Sequence, residues 1–280
     1  MCLAVIALDV HPRYALVIAA NRDEFHARPA QRAHWWNDAH DAQLLAGRDL
    51  AQGGTWLGMA QSGRWAFVTN VREPGRFDPQ APTRGSLVPQ FVRDPRQVAD
   101  AMESIVGAAL ACNGFNLVGG DGEEAVFGSN RDVRVARLER GLHGVSNARL
   151  DTPWPKLVRA KAGLAAWTAA GDDDLGRLWP VLADTTRARD DELPDTGISR
   201  ERERLLSSSF ILSGDYGTRC STLIAIARDG HARFIERSFD AAGTTIGEAT
   251  FSFQLDQSRR SIMRCKMPAS SNASPRATNA

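Results

Sequence analysis

A cysteine directly behind the start methionine, Met1-Cys2, places a thiol one processing step away from sharing a residue with a free α-amine. Aminopeptidase removal of a start methionine is the usual fate when the next side chain is as small as that of cysteine, so the mature chain is expected to open on Cys2. An α-amine with a pKa of about 7.7–8 can take the proton from a thiol of pKa about 8.5 near neutral pH, so nucleophile and base arrive as one unit. That unit suits amide cleavage. Such cleavage needs a nucleophile, a proton carrier for the leaving amine and donors for the oxyanion. Taken alone, the same residues also read as the start of a buried strand, because Leu3–Leu8 is apolar throughout.

The elements around Cys2 must bring it partners. Cys2–Val10 and Ala15–Ala20 are apolar runs separated by His11-Pro12-Arg13-Tyr14, which predicts a hairpin whose first strand begins at the thiol. The second strand ends in Asn21-Arg22-Asp23-Glu24. Alternation sends Arg22 and Glu24 to one face and Asn21 and Asp23 to the other. In an antiparallel hairpin the end of the second strand lies beside the start of the first, which delivers Arg22 or its neighbour to Cys2.

Further along, His26 to Asp49 has the composition of a covering loop, with Trp35 and Trp36 partly buried or lining a cleft mouth. His26, His34 and His40 fit no common metal-ligand spacing, and no metal is expected. Gly53–Met59 and Arg64–Asn70 form a hairpin about Ser62-Gly63, ending at Asn70. Helical spacing marks Arg84–Arg93 and Arg96–Leu110, with Val98, Met102, Ile105 and Val106 on one stripe. Strands are expected at Phe115–Val118, Ala125–Phe127 and Val133–Leu138, and the following segment ends at Asn147. Helices follow at Pro155–Ala170 and Leu175–Leu182, then a charged loop from Asp184 to Arg204, then strands Ser221–Ala227, Ala232–Arg237 and Phe251–Leu255. Strands, then helices, then strands, joined mostly by hairpins, argue for antiparallel sheets with helices on their outer faces, an α+β fold. No glycine-rich phosphate loop opens a helix. One domain over residues 1–256 is expected, with 257–280, lacking any periodicity, as a disordered tail.

Composition narrows the partners. The 280 residues are 43% hydrophobic and 24% charged with a net charge of +1, which fits a globular core and argues against a general nucleic-acid surface. No apolar run is long enough to span a membrane, and Leu3–Leu8 lacks the basic leader and cleavage site of a secretory signal. Four scattered cysteines, Cys2, Cys112, Cys220 and Cys265, make neither a zinc pattern nor a disulfide framework. A cytoplasmic protein without a cofactor is the expectation.

Three strings taken together, Met1-Cys2, Asn21-Arg22-Asp23-Glu24 and Tyr216-Gly217-Thr218-Arg219-Cys220-Ser221-Thr222, resemble the NRDE family, also called the transport-and-Golgi-organisation family. Gly53-Gly54-Thr55-Trp56-Leu57-Gly58 and Leu193-Pro194-Asp195-Thr196-Gly197 look like further family segments, so the resemblance covers about residues 1–255. That family is similar to the cysteine-type N-terminal-nucleophile hydrolases. The resemblance implies a four-layer αββα sandwich with the Cys2 thiol at a strand tip between two antiparallel sheets. It implies Cys2 as nucleophile, Arg22 beside the thiolate, Asp23 or Glu24 steadying the α-amine, and Asn70 as an oxyanion donor. Asn147 would orient the amine or the substrate, and Arg219 would hold Asp23 and the thiolate in place. The expected activity is hydrolysis of a small or non-peptide amide. The alternative is a non-catalytic carrier or trafficking protein that uses the same pocket for haem or another hydrophobic ligand.

Overall fold

The computed structural model describes residues 3–37 and 44–256. In chain order it contains β1 (Leu3–Leu8), β2 (Tyr14–Phe25), β3 (Ala30–Trp35), β4 (Leu44–Asp49), β5 (Leu57–Ala60) and β6 (Trp65–Asn70). Helices α1 (Leu87–Arg93) and α2 (Val98–Ala108) precede β7 (Phe115–Gly120), β8 (Ala125–Ser129), β9 (Asp132–Arg137) and β10 (Gly141–Val145). Then come α3 (Pro155–Ala170), α4 (Trp179–Leu182), α5 (Arg200–Leu205), β11 (Tyr216–Ala227), β12 (His231–Phe239) and β13 (Thr245–Gln254).

The strands form two antiparallel sheets, one of six strands ordered β10-β1-β2-β11-β12-β13 and one of seven running β3 to β9 in sequence order. Strand alternation makes the layers. On β1, Ala4 and Ile6 enter a core shared with Ile18, Met59, Phe67 and Phe234 between the two sheets, while Leu3 and Val5 turn outward to Leu157 and Leu164 of α3. The outer face of the second sheet packs Ala66, Leu117 and Val126 against Phe91 of α1 and Met102 and Ile105 of α2. Three apolar layers therefore lie between four layers of secondary structure, in the order αββα. No helix among the described residues is long and apolar enough to cross a membrane.

Several elements differ from the sequence-based expectations. The segment from His26 to Asp49 is not a plain loop, because it holds β3 and β4 at the edge of the second sheet. Its exposed Gln31 and Arg32 hide the strand pattern, and a buried glutamate from another sheet fixes it, with Glu236 Oε1 accepting the Ala33 N–H at 2.8 Å. The charged stretch before Arg204 carries the short helix α5. Strand β11 begins at Tyr216, earlier than its apolar run, because its first residues pair with the polar end of β2. The tail expected at 257–280 lies outside the described residues.

Candidate functional site

β1 is an inner strand of its sheet, with β2 on one side and the edge strand β10 on the other. Leu3 pairs with Asn21 across β2, and Ala4 pairs with Val145 across β10. Moving toward the chain start, the next residue on the β2 flank is Arg22, and Ser146 and Asn147 follow Val145 on the other. Cys2 itself lies outside the described residues.

Arg22 turns to the space between the sheets and is 4% exposed. Its guanidinium carbon lies 4.4 Å from the centroid of the Trp56 ring, a stacking interaction with the ring face that favours a cation. Among the described residues, neither Arg22 Nη1 nor Trp56 Nε1 has a hydrogen-bond partner, although both atoms are buried. A desolvated donor left without an acceptor costs about 1–3 kcal/mol, so two of them side by side are unusual in a folded interior. Cys220, opposite Arg22 on β11, is buried, and burial with the nearby Glu236 carboxylate pushes its thiol well up. It is correspondingly poor as a nucleophile. Burial also raises Glu236 to about 7.

The other face of the same strand carries Asn21 and Asp23. Asn21 receives a 2.6 Å hydrogen bond from Ser221 Oγ and donates Nδ2 to the carbonyls of Leu182 and Ser209, so its role is to fasten the sheet to the helical layer. Asp23 is 4% exposed and its Oδ1 accepts the Thr218 hydroxyl at 2.6 Å. Glu24 is instead turned back, with Oε1 accepting its neighbour's N–H at Phe25.

Arg219 occupies a β-bulge, since Thr218 pairs with Asp23 and Cys220 with Arg22, leaving it unpaired in the ladder. The bulge aims its guanidinium away from Asp23 and onto the carbonyls of Phe25, His26 and Arg28, where it clamps the turn after β2. Burial, and then the charge of Arg22, lower it from the ordinary arginine value.

Asn147 and Asn70 do come together. Asn147 Nδ2 donates to the Asn70 carbonyl at 3.0 Å, linking the end of β10 in one sheet to the end of β6 in the other. Both line a cleft of about 460 Å³ with Arg72, Lys156, Ile211 and Tyr216. Local sequence gives no hint that Arg72, Lys156 or Glu203 belong here. Glu203 is 2% exposed and accepts hydrogen bonds from Arg72 and from both the N–H and hydroxyl of Thr196, which is how the Leu193–Gly197 string is held. The Gly53–Gly58 string is explained similarly. Gly54 lets the chain pass against Gly85, whose backbone a Cβ would meet at 2.4 Å, and Thr55 N–H bonds the Gly85 carbonyl. Among the described residues no three His, Cys, Asp or Glu side chains converge to hold a metal.

The architecture is thus an α+β sandwich of αββα type with buried polar side chains where β2 and β11 pair beside the start of β1. A sequence model of TANGO2, Transport and Golgi organisation 2, matches residues 1–241, and the chain belongs to that family. The Bos taurus Transport and Golgi organization protein 2 homolog is 34% identical over 275 residues, covering 89% of this chain and 97% of the relative. The Homo sapiens homolog is 32% identical over 259 residues, covering 85% and 93%. Among solved structures, the C2A mutant of conjugated bile acid hydrolase from Clostridium perfringens matches with 9% identity and a TM-score of 0.49, covering 91% of this chain and 92% of that one. The Caenorhabditis elegans N-acylethanolamine-hydrolyzing acid amidase ortholog matches with 10% identity and a TM-score of 0.46, covering 80% and 92%.

Proposed function

We propose that this chain is a cytoplasmic N-terminal-nucleophile amidohydrolase that cleaves a small, non-peptide amide after loss of Met1. The observation that carries this reading is the pair of buried donors, Arg22 Nη1 and Trp56 Nε1, that find no acceptor among the described residues beside the start of β1. Cys2 is one peptide bond from Leu3, about 3.8 Å between Cα atoms. In this reading the Cys2 thiolate attacks the amide carbon, and Arg22 favours the thiolate over the thiol. The α-amine takes the thiol proton and returns it to the leaving amine, after which water releases the acyl group from sulfur. Asp23, held by Thr218, is the acid that steadies the amine, since Glu24 is committed to its own backbone. Asn70 supplies a side-chain N–H to the oxyanion, which typically contributes about 2.7–4 kcal/mol. Asn147 keeps Asn70 in place through its carbonyl, and Arg219 steadies the turn that ends the Arg22 strand.

The test is intact-mass measurement of the purified chain before and after exposure to a panel of linear amides. Loss of Met1 and an acyl adduct on Cys2, absent in Cys2→Ser, are expected; a retained Met1 would falsify the mechanism, because the base is then blocked. The carrier reading draws on the apolar part of the cleft, Phe77, Ile198, Leu206 and Ile211. A haem absorption spectrum shifted by the protein, with no acyl adduct, would favour it.

A further inference from the structure

The loop that joins β10 to α3 is tied shut at its base. The Asp151 N–H donates to the Gly144 carbonyl at 2.7 Å, and Asp151 Oδ1 accepts the Gly144 N–H at 2.9 Å, so two residues seven apart are bonded twice. The same carboxylate takes Lys161 Nζ of α3 at 2.5 Å and faces His143 Nδ1 at 3.3 Å. Asp151 does this with a φ of 57°, a left-handed backbone that asparagine and aspartate accept more readily than other side chains. A residue kept in that conformation by partners on two elements marks a place where the shape of the loop is fixed from outside. What the loop carries is Asn147. Its carbonyl accepts the Arg72 N–H at 2.7 Å, its Nδ2 reaches the Asn70 carbonyl, and the next carbonyl, that of Ala148, accepts Asn116 Nδ2 at 2.7 Å. The base of the loop is thus fastened to β10 and α3, and its tip to the other sheet beside the cleft.

His143 shows which charge state this fastening needs. Its Nδ1 faces the Asp151 carboxylate and its Nε2 faces the Glu139 carbonyl at 2.7 Å, and both partners can only accept. A neutral imidazole has one N–H, so both contacts are hydrogen bonds only in the imidazolium. The hydrogen bond to Asp151 raises His143 above its ordinary value, against burial and Lys161. Asp151 and Lys161 are the charged side chains facing the ring among the described residues, and β1 sets the apolar Ile6 opposite it in the ladder. Both His143 contacts are therefore complete below its ordinary 6.5, and one is lost as pH rises through the raised folded value. We propose that Asp151 is a positioning residue that holds Asn147 at the cleft, and that its hold depends on the proton of His143. What Asn147 then does rests on the amidohydrolase reading; the hold itself does not.

The experiment is amide hydrogen exchange of the full chain, read by nuclear magnetic resonance at Arg72, whose N–H ends on Asn147, and at Val71, whose N–H ends on Gly114 instead. Rates are corrected for the intrinsic effect of pH on exchange. Asp151→Gly accepts the left-handed backbone but has no carboxylate, and it is expected to raise exchange at Arg72 about tenfold while leaving Val71 unchanged. Asp151→Asn, which keeps an acceptor for Gly144, should restore most of the protection. In the parent, corrected exchange at Arg72 should rise between about pH 6 and about pH 9, and His143→Gln should abolish that rise. Acylation of Cys2 by linear amides should slow about tenfold in Asp151→Gly and recover in Asp151→Asn, with iodoacetamide labelling of Cys2 unchanged in both. No change at Arg72 in Asp151→Gly, an equal change at Val71, or a pH-dependent rise that persists in His143→Gln overturns the proposal. The two readings fail separately: no acyl adduct in the parent, with Arg72 responding as expected, sinks only the hydrolase, whereas acylation of Asp151→Gly at the parent's rate sinks only this one.

Discussion

Thr218 donates its hydroxyl hydrogen bond to Asp23 across the β11–β2 ladder at 2.6 Å, and its own oxygen accepts the Ile211 N–H at 2.9 Å, so one buried side chain ties Asp23 to the loop entering β11. Thr218→Val keeps the shape and removes both connections. It is expected to destabilise the fold by about 1–3 kcal/mol, the usual result of stranding a buried polar group. Chemical denaturation measures this, with Thr218→Ser restoring most of the loss.

Glu236 gives the protein a pH-dependent weakness. Its folded value of about 7 lies above its ordinary 4.5 because burial disfavours the carboxylate. The folded state therefore holds a proton that the unfolded chain has released between those two values. Its favourable contribution is complete below pH 4.5 and is lost as pH rises to about 7. The loss amounts to about 3 kcal/mol at most. Unfolding free energies of Glu236→Gln, compared with the parent at pH 5 and pH 8, should show the parent losing more on going to pH 8; parallel losses would rule this account out.

Arg22 separates stability from reactivity. Replacing Arg22 by methionine removes a buried donor that has no acceptor among the described residues while keeping much of the side-chain volume. Arg22→Met is expected to keep or raise the unfolding midpoint while slowing iodoacetamide labelling of Cys2 at neutral pH about tenfold, as loss of a cation beside a thiolate predicts. Peptide mass spectrometry reads Cys2 apart from the buried Cys112 and Cys220.

Glu203 is a keystone behind the cleft. With its side chain 2% exposed and that of Arg72 11% exposed, Glu203→Ala takes a buried carboxylate away from Arg72 and from the Thr196 donors. A loss of about 3–5 kcal/mol is expected. Glu203→Gln, which keeps an acceptor, should lose clearly less in the same denaturation measurement.

Gly54 answers to backbone packing alone. A methyl group there would sit 2.4 Å from the Gly85 carbonyl carbon, which has no side chain to move aside. Gly54→Ala should destabilise by about 2 kcal/mol or more, and heat-denaturation midpoints will show whether it does.

The parts of the fold that were legible are those where alternation or helical spacing is written in neighbouring residues. β1, β2, the hairpin about Gly63 and α3 are of that kind, α3 running from Pro155 to Ala170 as its spacing indicates. β3 and the first third of β11 escaped because their polar residues belong to ladders and clasps made with distant strands, Ala33 with Glu236 and Thr218 with Asp23. The site was legible in the same uneven way. The Asn21–Glu24 string announces itself, yet only the folded chain separates its duties: Asn21 fastens helices, Arg22 faces the sheets' interior and Asp23 meets Thr218. Arg219 was expected on Asp23, and an unpaired residue in the ladder redirects it to the carbonyls after β2. The cleft left no local trace, since Arg72, Arg84, Lys156 and Arg202 stand far apart in the sequence and meet only in the folded chain.

The strand order β10-β1-β2 has a practical corollary for anyone handling this protein. Leu3, the first described residue of β1, lies beside Asn21 of β2, and Ala4 beside Val145 of β10, so bulk added at the start of β1 meets a neighbouring strand on either side. β13, by contrast, is the border strand of its sheet and has β12 as its one ladder neighbour, so substitutions on it meet far less resistance.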